Sequence, residues 1–285
     1  MSEACCDVSV ALGEPIDGTA VVQTRRWLMV QVSEAWAAKA LDAPCLAGPV
    51  RAHLEAALMG MPDCRLQLIR APWARSGVRV MSAVVGGSVF GTTLDSLDGL
   101  LDMDLEAIFD GVGMEKMHDS VTLVCTHGVR DQCCAREGAP VINEFRALGV
   151  EEVWATTHLG GHRFAATLIS LPEGVQFGRV KPADVGRLVE GIRTSEIFDL
   201  DRFRGQTALS REAQVAEAHL RRREGLTALG AVFCKEDSAD RIAFQVKGRT
   251  IEVQLRSTVH SEPRRYSCGV GEPKSPSIFS VACSE

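Results

Sequence analysis

The chain has 285 residues, of which 46% are hydrophobic, and a formal net charge of −6. That is long enough for two or three small domains with substantial cores, and too acidic for nucleic acid to be its main partner. The start, MSEACCDVSV, has no basic stretch leading into an apolar run, so no signal peptide is read and a reducing cytoplasm is expected; no segment predicts a membrane span.

In chain order, WLMVQV (27–32) predicts a buried strand, and PVRAHLEAALMG (49–60) a helix with proline near its start and glycine at its end. RLQLIR (65–70) predicts a strand. VRVMSAVV and SVFGTTL predict a hairpin about Gly86-Gly87, and LLDMDLEAIFDG (100–111) an amphipathic helix. The order then repeats. VTLVC (121–125) reads as a strand, APVINEFRALG (139–149) as a helix, VEEVWATT (150–157) as a strand ending at His158, FAATLISL and VQFGRV as a hairpin, and PADVGRLVEGI (182–192) as a helix. After 205 the pattern changes. LSREAQVAEAHLRRREG predicts a charged helix whose Arg221-Arg222-Arg223 run forms a solvated face, and AVFCKE, RIAFQVKG, RTIEVQLRSTV and IFSVAC predict a small antiparallel sheet.

Both halves thus read β-α-β-β-β-α. The expected fold class is α/β: two tandem thioredoxin-like units, at 1–115 and 116–204, followed by a small α+β part at 205–285. In such a unit the strand order is 2-1-3-4. The chain must therefore pass from the second strand to the third across the carboxyl end of the first, roughly 10 Å away.

In the second unit that crossing falls on HLGGH (158–162). Five extended residues reach about 17 Å, so the loop can hang His158 and His162 over Cys125, at the end of the first strand, and over Cys133-Cys134 in the next loop. Two thiols and two imidazoles then converge at the carboxyl end of a sheet, where ligands bind in open α/β folds. The H-x₃-H spacing suits zinc, but Cys125 and Cys134 stand too far apart in sequence for a zinc knuckle. A [2Fe–2S] cluster takes separate ligand pairs on its two irons and suits a wide cysteine pair better.

CTHGVRDQCCA, HLGGHRFAAT and FGRVKP resemble the sucrase/ferredoxin-like family, a branch of the thioredoxin-like [2Fe–2S] ferredoxins, and weaker similarity runs through GTAVVQTRRWLMVQV and into the C-terminal part. The resemblance implies a [2Fe–2S] cluster held by Cys125, Cys134, His158 and His162, and one-electron transfer to a redox partner protein rather than an enzyme with its own substrate. Cys134 is preferred over its neighbour because the small Ala135 follows it and its distance from Arg130-Asp131 fits; Cys133 is the alternative ligand. His127, Arg130, Asp131 and Arg163 are expected to support the ligands, Arg130 and Asp131 as an ion pair. Two histidine ligands make the cluster less negative than four thiolates would, which implies a moderate potential and proton-coupled transfer. No carboxylate pair can be placed across a glycosidic bond, so sucrase activity gets no support. The alternatives are a thiol–disulfide oxidoreductase using Cys133 and Cys134, and a zinc-stabilised structural module. Cys5, Cys6, Cys45, Cys64, Cys234, Cys268 and Cys283 read as packing or surface thiols, and Trp27, Trp36, Trp73 and Trp154 as core.

Overall fold

The computed structural model describes every residue except 1–3, 47, 72–75, 260–262, 264–265, 270–271, 276 and 285. Trp73 and the side chain of Cys283 lie outside the described residues. The elements, in order, are α1 (Cys5–Ala11), β1 (Arg26–Gln31), α2 (Pro49–Gly60), β2 (Cys64–Arg70), β3 (Val78–Val84), β4 (Val89–Leu94), β5 (Glu115–Lys116), β6 (Val121–Cys125), α3 (Gln132–Ala147), β7 (Val153–Thr156), β8 (Leu168–Leu171), β9 (Val175–Phe177), α4 (Val185–Thr194), β10 (Phe203–Gln206), α5 (Arg211–Glu224), β11 (Val232–Asp237), β12 (Ile242–Val246), β13 (Arg249–Val259) and β14 (Ser277–Ser284). The fold is mixed α/β with a large central sheet.

Trp27, Leu28, Met29 and Val30 are all fully buried, which is why this run shows no polar alternation. Side chains alternate across a strand. Leu28 and Val30 pack under α2 with Val50 and Leu54, while Trp27 and Met29 face the other side with Met81, Leu123 and Trp154. In the second half Val124 packs under α3 with Val141 and Phe145, while Val121, Leu123 and Cys125 join that same opposite layer.

The ten-stranded sheet has the order β10-β9-β8-β6-β7-β2-β1-β3-β4-β5. Within it β2-β1-β3-β4 and β7-β6-β8-β9 share one pattern. In chain order, the second strand of each set pairs parallel with the first, the third antiparallel with the first, and the fourth antiparallel with the third. The two sets meet along β2 and β7, paired antiparallel at Ile69↔Thr156 and Arg70↔Ala155. β5 and β10 extend the outer edges. Strands β11–β14 form a second, antiparallel sheet in sequential order. α5 lies between the sheets: Ala218 packs with the core under α3, and Ala213, Ala216 and Leu220 pack on the small sheet.

Three local readings need correction. The helix expected over 100–111 is two 3₁₀ turns, Leu97–Asp102 and Ala107–Asp110. Asp104 accepts from the backbone of Glu106 and Ala107, which caps a new turn and ends the old one. The helix expected from 139 starts at Gln132, because the Asp131 carboxylate accepts from Cys133 N at 3.0 Å, and Pro140 lies inside it. Cys133 and Cys134 are therefore in its first turn and not in a loop. The arginine run of α5 is a solvated face only in part: Arg222 and Arg223 are exposed, but Arg221 is fully buried.

Candidate metal centre

β6 ends at the buried Cys125, and α3 returns over that strand end. The approach is close enough that a Cβ on Gly138 would lie 2.1 Å from the Cys125 carbonyl oxygen, so only glycine fits there. This contact, with the Asp131 cap, sets Cys134 beside Cys125. The chain after β7 then crosses to β8 over the end of β6, as the strand order β7-β6-β8 requires.

The sulfurs of Cys125 and Cys134 and a ring nitrogen of His158 lie within 4.8 Å of one another. His158 Nδ1 stands 3.6 Å from Cys134 Sγ and 4.0 Å from Cys125 Sγ. His162 is on the far side of that ring, its Nδ1 3.5 Å from His158 Nε2. The four side chains thus run in series: two thiols, then one imidazole, then the other. Cys133 is not among them. It points from the same helical turn into a separate group formed by Cys5, Cys6 and Cys268. Those three are packing thiols, as expected, but they pack on one another round Cys133, and the sequence reading missed that grouping because 128 and 135 positions separate Cys133 from Cys5 and Cys268.

The crossover loop is held by its carbonyl oxygens. Arg65 donates to His158 O at 2.7 Å, Gln176 Nε2 to Leu159 O at 2.9 Å, and Arg204 to Gly160 O at 3.1 Å. Arg204 is fully buried, and burial pushes its guanidinium down to about 9. None of these three residues was marked by the sequence, since an arginine inside a strand pattern gives no sign that it turns inward. Arg65 comes from the first half of the sheet, so that half helps to shape the site in the second. Arg65→Met is expected to lower the unfolding free energy by about 2 kcal/mol, the worth of a charged hydrogen bond; urea unfolding of the two proteins measures it.

His127 is buried, accepts from His158 N at 3.1 Å through Nδ1, and meets Trp36 edge-on with ring centroids 5.7 Å apart. Among the described residues its Nε2 is buried without a hydrogen-bond partner, and burial holds its pKa below the usual imidazole value. Arg130 is exposed, and among the described residues it forms no ion pair with Asp131. The Asp131 carboxylate turns inward instead, where it accepts from Cys133 N, Ser267 Oγ and Cys268 N and lies 3.5 Å from His162 Nε2. Arg163 pairs with Glu14 at 2.8 Å and covers the Tyr266 ring. His162 Nε2 meets the Tyr266 carbonyl oxygen. A carbonyl only accepts, so Nε2 carries the proton and Nδ1 is left with a free lone pair toward the site.

The Cys134 thiol donates toward Cys125 and, against the cost of burial, holds the Cys125 thiol well below its usual pKa; His158 adds to this. Burial lowers His162. The site therefore favours a thiolate at Cys125 and a neutral imidazole at His162, which are the metal-binding forms of those residue types.

Residues 19–205, more than half of the chain, match the sucrase/ferredoxin-like family model. The chain belongs to the sucrase/ferredoxin-like family. All the candidate ligands fall inside the matched span, whereas Cys5, Cys6 and Cys268 fall outside it. Altered inheritance of mitochondria protein 32 from Meyerozyma guilliermondii is 32% identical over 97 residues, which is 30% of this chain and 34% of that one. The protein of the same name from Clavispora lusitaniae is 31% identical over 99 residues, 32% of this chain and 36% of that one. The chain spans about a third of the length of these curated relatives. Among solved structures, a cysteine-to-serine variant of the thioredoxin-like [2Fe–2S] ferredoxin from Aquifex aeolicus shares 22% identity at a TM-score of 0.23, over 25% of this chain and 84% of that one. Among the described residues of this family member, no helix is long and apolar enough to cross a membrane.

Proposed function

We propose that this protein is a one-electron carrier whose Cys125, Cys134, His158 and His162 hold a [2Fe–2S] cluster, and that its two sheet halves are tandem thioredoxin-like units, bounded near 115 and 204. The observation that carries the reading is the serial arrangement of two thiols and two imidazoles at the carboxyl end of β6. Donors of one kind at each end are the division that a group with two separate ligand pairs takes. When bound, such a cluster supplies a reversible one-electron couple, at a potential raised by its histidine ligands.

The protein's own groups prepare the site. Arg65 and Arg204 fix the loop that carries both histidines and place two cations near the Cys125 thiolate. Nδ1 of each imidazole faces inward, while Nε2 of His162 holds a proton against the Tyr266 carbonyl and the Asp131 carboxylate. That proton is the one whose loss couples to redox change, and a midpoint potential flat from about pH 6 to 9 removes the coupling. A cleft of about 290 Å³ lined by Lys39, Arg65, His127, Arg130 and His158 opens beside the site. Its basic rim on an otherwise acidic chain favours an acidic redox partner docking there. The free thiols suit a reducing compartment, here the cytoplasm. Cys133 and Cys134 face different groups, which disfavours a dithiol mechanism through that pair.

The test is iron and acid-labile sulfide per chain, read with visible absorption. Coloured wild-type protein is expected. Cys134→Ser and His158→Ala should lose colour and iron, while Cys133→Ser keeps both. Colourless protein whose first-site residues hold zinc would falsify the carrier reading.

A further inference from the structure

Three cysteines outside the family-matched span, Cys5, Cys6 and Cys268, gather round Cys133 inside it. Cys5 opens α1, Cys133 lies in the first turn of α3, and Cys268 sits in the segment before β14. Their sulfurs make a nearly equilateral triangle: 3.5 Å from Cys5 to Cys133, 3.3 Å from Cys133 to Cys268, and 3.4 Å from Cys268 to Cys5. An Asp131 carboxylate oxygen also lies within 4.8 Å of these three sulfurs, and Cys6 Sγ adjoins the group at Cys133, 2.8 Å from its Sγ. Cys5, Cys6 and Cys133 are buried, and Cys268 is half-buried.

Three further features fit thiolates gathered round a cation. Cys268 Sγ accepts from Cys5 N at 3.2 Å, and Cys6 Sγ accepts from Arg136 Nη2 at 2.9 Å. The Asp131 carboxylate fixes two of the four cysteines by their backbones, accepting from Cys133 N at 3.0 Å and Cys268 N at 2.9 Å. Tetrahedral Zn²⁺ with Zn–S near 2.3 Å sets its sulfurs about 3.8 Å apart. The triangle of Cys5, Cys133 and Cys268 is one face of such a tetrahedron, contracted by a few tenths of an ångström, and Cys6, the fourth corner, must move away from Cys133 by about 1 Å to complete it.

We propose that Cys5, Cys6, Cys133 and Cys268 form a second metal site that binds one Zn²⁺ as a closed Cys₄ structural centre. It fastens α1 and the segment at 266–269 to the first turn of α3, next to the first site and separate from it. Four thiolates leave no open position, so the site is structural and not catalytic. Zn²⁺ is the cation of choice because it takes tetrahedral sulfur ligands and has no redox chemistry of its own. Asp131 is a positioning residue that touches both centres.

The experiment uses the full chain purified from zinc-supplemented cells, with zinc and iron counted on the same samples. About one zinc per chain is expected in wild type and in Cys125→Ser. Cys5→Ser and Cys268→Ser should weaken zinc binding by more than the roughly 10- to 100-fold that loss of an outer-shell partner costs, and leave the iron count unchanged. A failure of the cluster reading shows as missing iron and leaves the zinc count standing. On wild-type protein, alkylation mapped by mass spectrometry keeps the proposal testable even if a variant does not fold. Cys5, Cys6, Cys133 and Cys268 should be protected until a zinc chelator is added. The proposal is overturned by zinc that survives Cys268→Ser and Cys5→Ser, by zinc lost only with Cys125→Ser, by free alkylation of the four thiols without chelator, or by a Cys6–Cys133 disulfide in protein kept anaerobic.

Discussion

Arg221→Ala should lower the unfolding free energy by about 3–5 kcal/mol, the cost of breaking a buried ion pair from one side. Arg221 and Glu217 sit one turn apart on α5, with side chains 0% and 1% exposed and a 2.8 Å contact. Arg221 also donates to the carbonyls of Ala228 at 2.9 Å and Leu229 at 3.0 Å, which tie the turn after α5 to the helix. Removing the guanidinium leaves the Glu217 carboxylate inside the protein with, among the described residues, only Gln206 Nε2 donating to it, at 3.0 Å. Burial already raises the Glu217 pKa even beside Arg221. The bare carboxyl should therefore take up a proton, and part of the loss should be recovered in acid. The second variant, Arg221→Met with Glu217→Leu, replaces the pair by apolar groups of similar volume and should recover most of the stability. Urea unfolding midpoints for wild type, single and double variants measure this. A single variant within 1 kcal/mol of wild type would mean that the pair is solvated after all.

This pair also shows where the sequence was silent. AHLRRREG has the look of a charged, wet helix face, and only the sheet packed on either side of α5 makes Arg221 internal. The readings that held were those with local causes. Pro49 and Gly60 bound α2 at the residues expected, and Trp27–Val30 reads as a strand because both of its faces are covered. The strand order was legible from the β-α-β-β-β-α order of elements, and that order placed HLGGH over the end of β6. The start of α3 was missed because a capping aspartate outweighed the proline that marked a start further on. The grouping of Cys5, Cys6 and Cys268 round Cys133 was out of reach for another reason. It joins the two ends of the chain to its middle, and no periodicity or spacing carries such a contact.

The two glycines of HLGGH should respond unequally to the same substitution. Both have positive φ, +87° at Gly160 and +67° at Gly161. Alanine at either costs about 1–2 kcal/mol for the left-handed backbone. At Gly160 the new Cβ would meet only Val21 Cγ1, at 3.3 Å, which a small shift relieves. At Gly161 it would lie 2.2 Å from Arg204 Nη2 and 2.9 Å from Arg204 Cζ. Arg204 cannot step aside cheaply. It is fully buried, donates to Thr19 Oγ1 at 3.0 Å and Gly160 O at 3.1 Å, and is the cation that fixes the loop. Displacing it forfeits a charged hydrogen bond worth about 1.5–3 kcal/mol on top of the backbone strain. Gly161→Ala should therefore cost about 3–5 kcal/mol and Gly160→Ala about 1–2 kcal/mol. The larger loss has a second consequence, because His162 follows Gly161 directly and turns with it. Iron content should fall in Gly161→Ala and hold in Gly160→Ala, measured beside thermal unfolding of the same preparations. Equal effects from the two would mean that backbone strain alone governs the loop. Arg204 would then be a passenger and not the residue that aims the second imidazole.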